Sequence, residues 1–346
     1  MPMAEHQTPK IMNRILATTL FLTGAAVSTQ NHVLSKNSCN METIKSGVSE
    51  KKVTFKSEGE KITGKLLLPP NYEAGQALPA YIVLGPWTQV KEQVQYAYGK
   101  ELAGLGFVVL NFDFRYWGES GGKPRFYEST GEKVKDALNA IAYLKTLPYV
   151  DAGNINLLGV CAGAGIVTRV ALKSDDIASV ATVAAWLQHP ASTPQFYGGE
   201  EGVQQRIALA EKARKKFDEK GSVDYVEAYN PDDYRAAMFF PLDYYGNPQR
   251  GAVKAWDNKF AVMGWKEWME LNSIDGIADK LEIPVVMVHS DGSALPDNVK
   301  KFYGMIPSKN KELVWLEGEH TQFYDSGDHI GKALKAIMEF TTARVN

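Results

Sequence analysis

The chain has 346 residues, a formal net charge of −2, and 45% hydrophobic against 23% charged residues. These proportions exclude a largely disordered protein and leave room for one large α/β domain with an insertion, or for two ordinary domains. Lys and Arg are mixed with Asp and Glu throughout, with no basic stripe, so no nucleic-acid partner is expected.

Residues 1–28 read as a secretory signal peptide. Lys10 and Arg14 flank the start of the apolar stretch 15–27, small residues follow, and initiation at Met12 with cleavage after Ala26 or Ser28 fits the pattern. The stretch is too short and too weakly apolar for a permanent span, so an exported protein, periplasmic or secreted, is expected, without stable membrane insertion after cleavage. A polar tail, 29–49, contains Cys39, which lacks the small and aliphatic residues that precede a lipidated cysteine.

The folded domain is expected over 50–346. Residues 53–55 and 61–68 alternate like two paired strands joined by Ser57-Glu58-Gly59-Glu60, and Pro69-Pro70 ends them. Residues 80–84 form a buried strand stopped by Gly85-Pro86. Helical spacing over 91–105 ends at Gly106, and 107–111 is the next strand. An amphipathic helix over 132–147 is bounded by Pro148; strand 155–158 and helix 166–172 follow, then strand 180–186. From 187 to about 281 the alternation breaks into a stretch rich in Tyr, Trp, Asn and Pro, which reads as a helical cap insertion without a clean strand. The run Glu211-Lys212-Ala213-Arg214-Lys215-Lys216 within it is the solvated face of a helix. Alternation resumes with strand 283–288, helix 298–306, strand 312–316 and a terminal helix over 327–342. Strands alternating with helices imply an α/β fold, its mostly parallel sheet covered by helices on both faces.

The chemistry is concentrated in Gly159-Val160-Cys161-Ala162-Gly163. Small residues two before and two after Cys161 let a strand and a helix approach closely while the apex side chain is held up. A phosphate loop or an ordinary strand-to-helix turn also fits so short a pattern. A cysteine nucleophile reacts as its thiolate, and the following helix N-terminus offers free N–H groups to it. His320 is the candidate base, in the loop after the last strand, where functional side chains of such sheets project. His289 ends a strand and reads as a packing residue or support; His189 stands at the entrance to the insertion and is a candidate for the pocket wall. Asp291 is the candidate acid, with Asp297 as the alternative. Ala162 N–H is one expected oxyanion donor, and the loop after Leu84 supplies the other, Trp87 or next to it Thr88. A disulfide between Cys39 and Cys161 would block the apex and is not expected. Cys and His at metal-ligand spacing are absent from the sequence, and no cofactor is expected. Asp113-Phe114-Arg115-Tyr116-Trp117-Gly118-Glu119-Ser120-Gly121 resembles a segment common after the fourth strand of α/β hydrolases, and that resemblance implies that it braces the site rather than reacting.

With these residues in view, the chain resembles the α/β-hydrolase superfamily. The elbow is similar to that of the dienelactone hydrolase-like group, which has a Cys nucleophile. The 113–121 segment and the insertion look more like the larger bacterial serine esterases, S15-type peptidases and fungal polyketide transferases. The order Cys161, Asp291, His320 matches the superfamily's order of nucleophile, acid and base. Gly85-Pro86 stands where the group has His-Gly. The resemblance implies hydrolysis of a small-molecule carboxylic ester or thioester through an acyl-enzyme on Cys161. Tyr127, Trp186 and Phe323, with Trp87, are the expected aromatic pocket. Acyl transfer from the same intermediate, or a hydrolase fold that binds without turnover, are the alternatives; natural substrate and oligomeric state are left open.

Overall fold

The first two strands are built by period-two alternation. β1 (Ser49–Ser57) and β2 (Glu60–Leu68) pair antiparallel through the turn at Glu58-Gly59. β3 (Leu78–Leu84) is apolar on both faces because both are covered. The computed structural model describes residues 47–70 and 72–342. The expected signal peptide, nearly all of the polar tail, and Cys39 lie outside the described residues.

α1 (Val94–Gly104) follows β3, then β4 (Val108–Phe112) and α2 (Thr130–Lys145). Ser129 caps α2, its hydroxyl accepting from Glu132 N–H, so the helix starts two residues before the expected Glu132. β5 (Val150–Val160) leads through Cys161 into α3 (Gly163–Ala171), and β6 (Ile177–Val183) follows. The insertion carries α4 (Gly199–Lys220), β7 (Tyr225–Glu227), α5 (Asp243–Gly246), β8 (Lys259–Ala261) and α6 (Trp265–Met269). It therefore has a long helix as expected. It also has a short antiparallel β7–β8 ribbon, too brief to leave a periodic trace in the sequence. β9 (Val285–His289), α7 (Pro296–Met305), β10 (Lys311–Trp315), α8 (Gln322–Asp325) and α9 (Gly327–Thr342) complete the chain.

The main sheet runs β1-β2-β4-β3-β5-β6-β9-β10; the pairings from β4 to β10 are parallel, and β2 alone runs against the rest, antiparallel to both β1 and β4. Alternate residues of each strand feed opposite cores. Tyr81, Val83, Leu158 and Val160 pack with α1, α9 and the insertion. Ala80, Ile82, Leu84 and Leu157 pack with α2, α3 and α7. The carboxyl ends of β3, β5, β9 and β10 consequently open towards the same side, where their loops meet the insertion. Among the described residues no helix is long and apolar enough to cross a membrane.

Candidate active site

Two glycines account for the elbow. A Cβ on Gly159 would lie 2.6 Å from the Gly163 carbonyl oxygen, and one on Gly163 would overlap the Leu84 carbonyl at the end of β3. Strand, helix and neighbouring strand thus meet at backbone distance, and Cys161 is left at the apex with φ +55°, a conformation that side-chain-bearing residues rarely adopt. Its own backbone is tied on both sides: its N–H donates to Val183 O at 3.1 Å, and its carbonyl accepts from Trp186 N at 2.9 Å. Such an over-determined apex is where backbone strain is tolerated for function.

The sulfur is a free, buried thiol. Burial pushes its pKa up to about 11, opposed by hydrogen bonds from Tyr324 and from the backbone N–H groups of Ala162 and Trp87. The two N–H groups expected as oxyanion donors therefore both face the Cys161 sulfur. Trp87 reaches it because its loop is pinned at several points. Its indole stacks on Trp268 at 4.1 Å and 13°, so the side chain turns into the insertion and the N–H turns back to the elbow. Thr88, at φ +61°, gives its N–H to Glu128 at 3.0 Å instead, and its carbonyl accepts from Trp256 Nε1 at 2.7 Å. Lys91 closes the loop with N–H and ammonium on the two oxygens of Asp113, each at 2.8 Å. The 113–121 segment braces the site as expected: Asp113 also accepts from Glu119 N–H at 2.9 Å. Arg115 is spent on Asp136, at 2.8 and 2.9 Å, and on Glu132.

His320 sits where the loop after β10 turns into α8, fixed by its N–H to Gly292 O at 3.1 Å. Its Nδ1 accepts the Ala294 backbone N–H at 3.2 Å. In the neutral ring the proton is then on Nε2, which faces the Tyr324 hydroxyl at 3.0 Å. Burial, with His289 nearby, pushes the His320 pKa down to about 3. The ring is thus neutral, and it stands next to Tyr324, whose hydroxyl in turn hydrogen-bonds the Cys161 sulfur and Tyr245.

The expected acid is not at the ring. The Asp291 side chain is 78% exposed and pairs with Lys300 of α7 at 3.5 Å. Asp297 is also exposed, in the first turn of α7. The reason is local: the short turn after β9 presents the Ala294 N–H, not a carboxylate, to Nδ1. Among the described residues no carboxylate bonds this imidazole. His289 is buried at the end of β9 against Trp315, a packing residue as expected. His189 pairs with Asp275 at 2.8 Å on the insertion.

Of the expected pocket aromatics, Trp87 and Trp186 are at the site, the Trp186 ring 6.5 Å from that of His320 and 6.1 Å from that of Trp268. Tyr127 packs instead on Tyr116 and Arg214, because Arg214 of α4 draws its ring to the outer side of the loop. Phe323 is fully buried in the core beside His329, since α8 turns the opposite face, with Tyr324, towards the sulfur. Tyr324, Tyr245 and Trp268 are the residues that sequence reasoning missed. For Tyr324 a signal existed: it lies four residues, one helical turn, beyond His320.

Two cavities adjoin this arrangement. One of about 20 Å³, room for a single water, lies between the elbow and the insertion, walled by Trp87, Ala162, Gly163, Glu128, Lys133 and Trp268. The other, about 380 Å³, is lined by Tyr229, Tyr245, Val253 and Trp256 and reaches the Tyr245 that contacts Tyr324.

Several known proteins are similar to this chain. The uncharacterized protein PA2218 of Pseudomonas aeruginosa is 27% identical over 291 residues, 82% of this chain and 78% of that protein. Its crystal structure superposes with a TM-score of 0.74 at 23% identity, covering 91% of this chain and 99% of that one. The uncharacterized protein YcjY of Escherichia coli is 37% identical over 124 residues, 36% of this chain and 40% of its own length. The α/β hydrolase GrgF from a Penicillium species has a TM-score of 0.71 at 21% identity, with 84% and 97% coverage. These likenesses agree with the mostly parallel sheet and the elbow in placing the fold as that of an α/β hydrolase. Residues 11–196, more than half of the chain, match the model of one family, and the chain belongs to the esterase FrsA-like family.

Proposed function

We propose that the protein hydrolyses a carboxylic ester or thioester, with Cys161 as the nucleophile. The observation that carries this reading is the convergence of the Ala162 and Trp87 backbone N–H groups on a thiol held at an apex of φ +55°. The sulfur adds to the acyl carbon, the two donors take up the charge that develops on the carbonyl oxygen, and the bond to the alcohol or thiol breaks, that group leaving with the proton the cysteine gives up. Water then releases the acid from the acyl-enzyme. The esterase family to which the chain belongs supports the ester as the substrate class. His320 meets the hydroxyl of Tyr324, which in turn hydrogen-bonds the sulfur.

The test is direct. The wild-type protein incubated with p-nitrophenyl butyrate should release p-nitrophenol and carry a butyryl group on Cys161, detected by mass spectrometry. Cys161→Ala should do neither, and turnover retained by that variant would end the proposal. One observation favours a second reading, a hydrolase fold that binds without turnover: the imidazole has no carboxylate partner among the described residues. Absence of acylation in the folded wild-type protein would favour it.

A further inference from the structure

Cys161 has little free space beside it. It is buried, and the cavity at the elbow has room for a single water. The larger cavity, of about 380 Å³, is of a size that holds a small apolar ligand. Two residues of its wall are also bonded to the loop that carries Trp87 N–H. Trp256 Nε1 donates to the Thr88 carbonyl at 2.7 Å, and Gln89 Nε2 donates to the Tyr245 hydroxyl at 3.4 Å. The Tyr245 ring also lies 6.4 Å from that of Tyr324, whose hydroxyl is 3.0 Å from His320 Nε2. Tyr245 therefore stands between the cavity and the space bounded by the Trp87 loop and His320. Its ring is held there 5.6 Å from Trp256, 5.7 Å from Tyr229 and edge-on to Tyr244 at 5.2 Å, and it is 3% exposed.

We propose that the Tyr245 ring sets an upper limit on acyl length, so that the substrates are esters or thioesters of short acyl groups. A short acyl group needs no more than the space on the His320 side of the ring. A longer chain would have to extend into the cavity, whose Val253, Pro231 and Trp256 would suit it, and the ring bars the way. Tyr245 thus acts by excluding competitors, without touching the bonds that change. The inference names the substrate class and rests on Cys161 being an acylated nucleophile.

The experiment keeps p-nitrophenolate as the leaving group and varies the acyl chain from acetate through butyrate to octanoate. Wild type should prefer the two shorter esters. Tyr245→Ala joins the cavity to the site and should raise the octanoate-to-butyrate ratio of kcat/KM at least about tenfold, the least that one methylene gains in an apolar pocket. Ala252→Trp puts an indole into the cavity. Alone it should leave the wild-type ratio unchanged, because the ring already closes the cavity; added to Tyr245→Ala it should restore that ratio. Tyr245→Phe keeps the ring and should keep the ratio. A merely structural role would lower all three esters alike, with no restoration by the indole, and that outcome overturns the inference. So does a loss of octanoate turnover in Ala252→Trp alone, which would make the cavity part of the wild-type site. Tyr245→Leu replaces the alanine variant if that does not fold. Labelling of Cys161 by iodoacetamide and N-octyl iodoacetamide, read by mass spectrometry, tests the same barrier without turnover. Tyr245→Ala should favour the octyl reagent at least about tenfold more than wild type does, and an equal preference overturns the inference. Wild type that never acquires an acyl group would instead sink the reading of Cys161 as nucleophile, and the labelling would still decide on Tyr245.

Discussion

Gly163, the first residue of α3, lies so close to Leu84, the last residue of β3, that no side chain fits between them. This contact joins the helix that follows Cys161 to the start of the loop that carries Trp87 N–H. Gly163→Ala must push one away from the other. Because the obstacle is backbone on both sides, the cost should reach or exceed the upper end of the usual overpacking penalty of about 1–3 kcal/mol. Gly304→Ala is the control: it lies in α7 with nothing within 4 Å of its added Cβ, so it should be neutral or stabilising by up to about 1 kcal/mol. Urea unfolding of the two variants checks the pair; equal stability would mean that α3 can slide and that the elbow is not set by this glycine.

The thiol's elevated pKa makes a second prediction. Alkylation needs the thiolate. With burial holding Cys161 up to about 11, its rate of reaction with iodoacetamide should rise about tenfold for each pH unit from 8 to 10, whereas an ordinary cysteine gains only about fourfold over that whole range. Mass-spectrometric quantification of labelled Cys161 across that range is the measurement. A plateau below pH 9 would show that the three donors outweigh the burial.

Two buried imidazoles set a third. His289 is pushed down to about 4 and His320 down to about 3, both chiefly by burial, against about 6.5 in an unfolded chain. Between these values the unfolded state binds the extra protons, so stability falls as pH falls. The contribution is complete above about pH 6.5 and is lost as pH drops towards 4 and then 3. Asp291 and Lys300 also act on His289, in opposite senses. Guanidinium unfolding at pH 7, 5 and 4 should therefore show a shallower decline in His289→Leu than in wild type. Identical slopes would count against it.

The elbow and the last loop were legible in the sequence because each is fixed by residues adjacent in the chain. Gly159, Cys161 and Gly163 impose their geometry locally, and His320 needs only to follow the last strand. The Trp87 N–H could be placed because a backbone donor depends on loop position, not on which way a side chain points. Asp291 and Tyr127 failed for the opposite reason. Their directions are decided by Lys300 and Arg214, residues nine and 87 positions away that no local pattern connects to them. Phe323 and Tyr324 show the same limit within one helical turn. Both are aromatic and adjacent, and only the docking of α8 on the core decides which faces the sulfur. The insertion's β7–β8 ribbon, three residues per strand, is shorter than any period can reveal.

That docking gives the last prediction. Arg250, from the insertion, holds α8 by its guanidinium: Nε and one terminal nitrogen meet the two oxygens of Asp325 at 2.7 and 2.8 Å, and the same terminal nitrogen donates to Thr321 O at 3.1 Å. Bidentate pairs of this kind fix orientation as well as adding attraction. Asp325 is the residue after Tyr324, so the clamp aims the phenol at Cys161 from the insertion side. The partners are partly exposed, so removing the pair should cost little stability, about 1 kcal/mol or less. Its effect should appear in the chemistry. Arg250→Lys keeps the charge but not the fork, and Asp325→Asn keeps the size but not the charge; each should lower kcat on ethyl butyrate by several-fold with a small change in Tm. The double variant should lose no more than the worse of the two, because both remove the same restraint. Additive losses would mean that the two residues act separately and that the insertion does not steer Tyr324 through them.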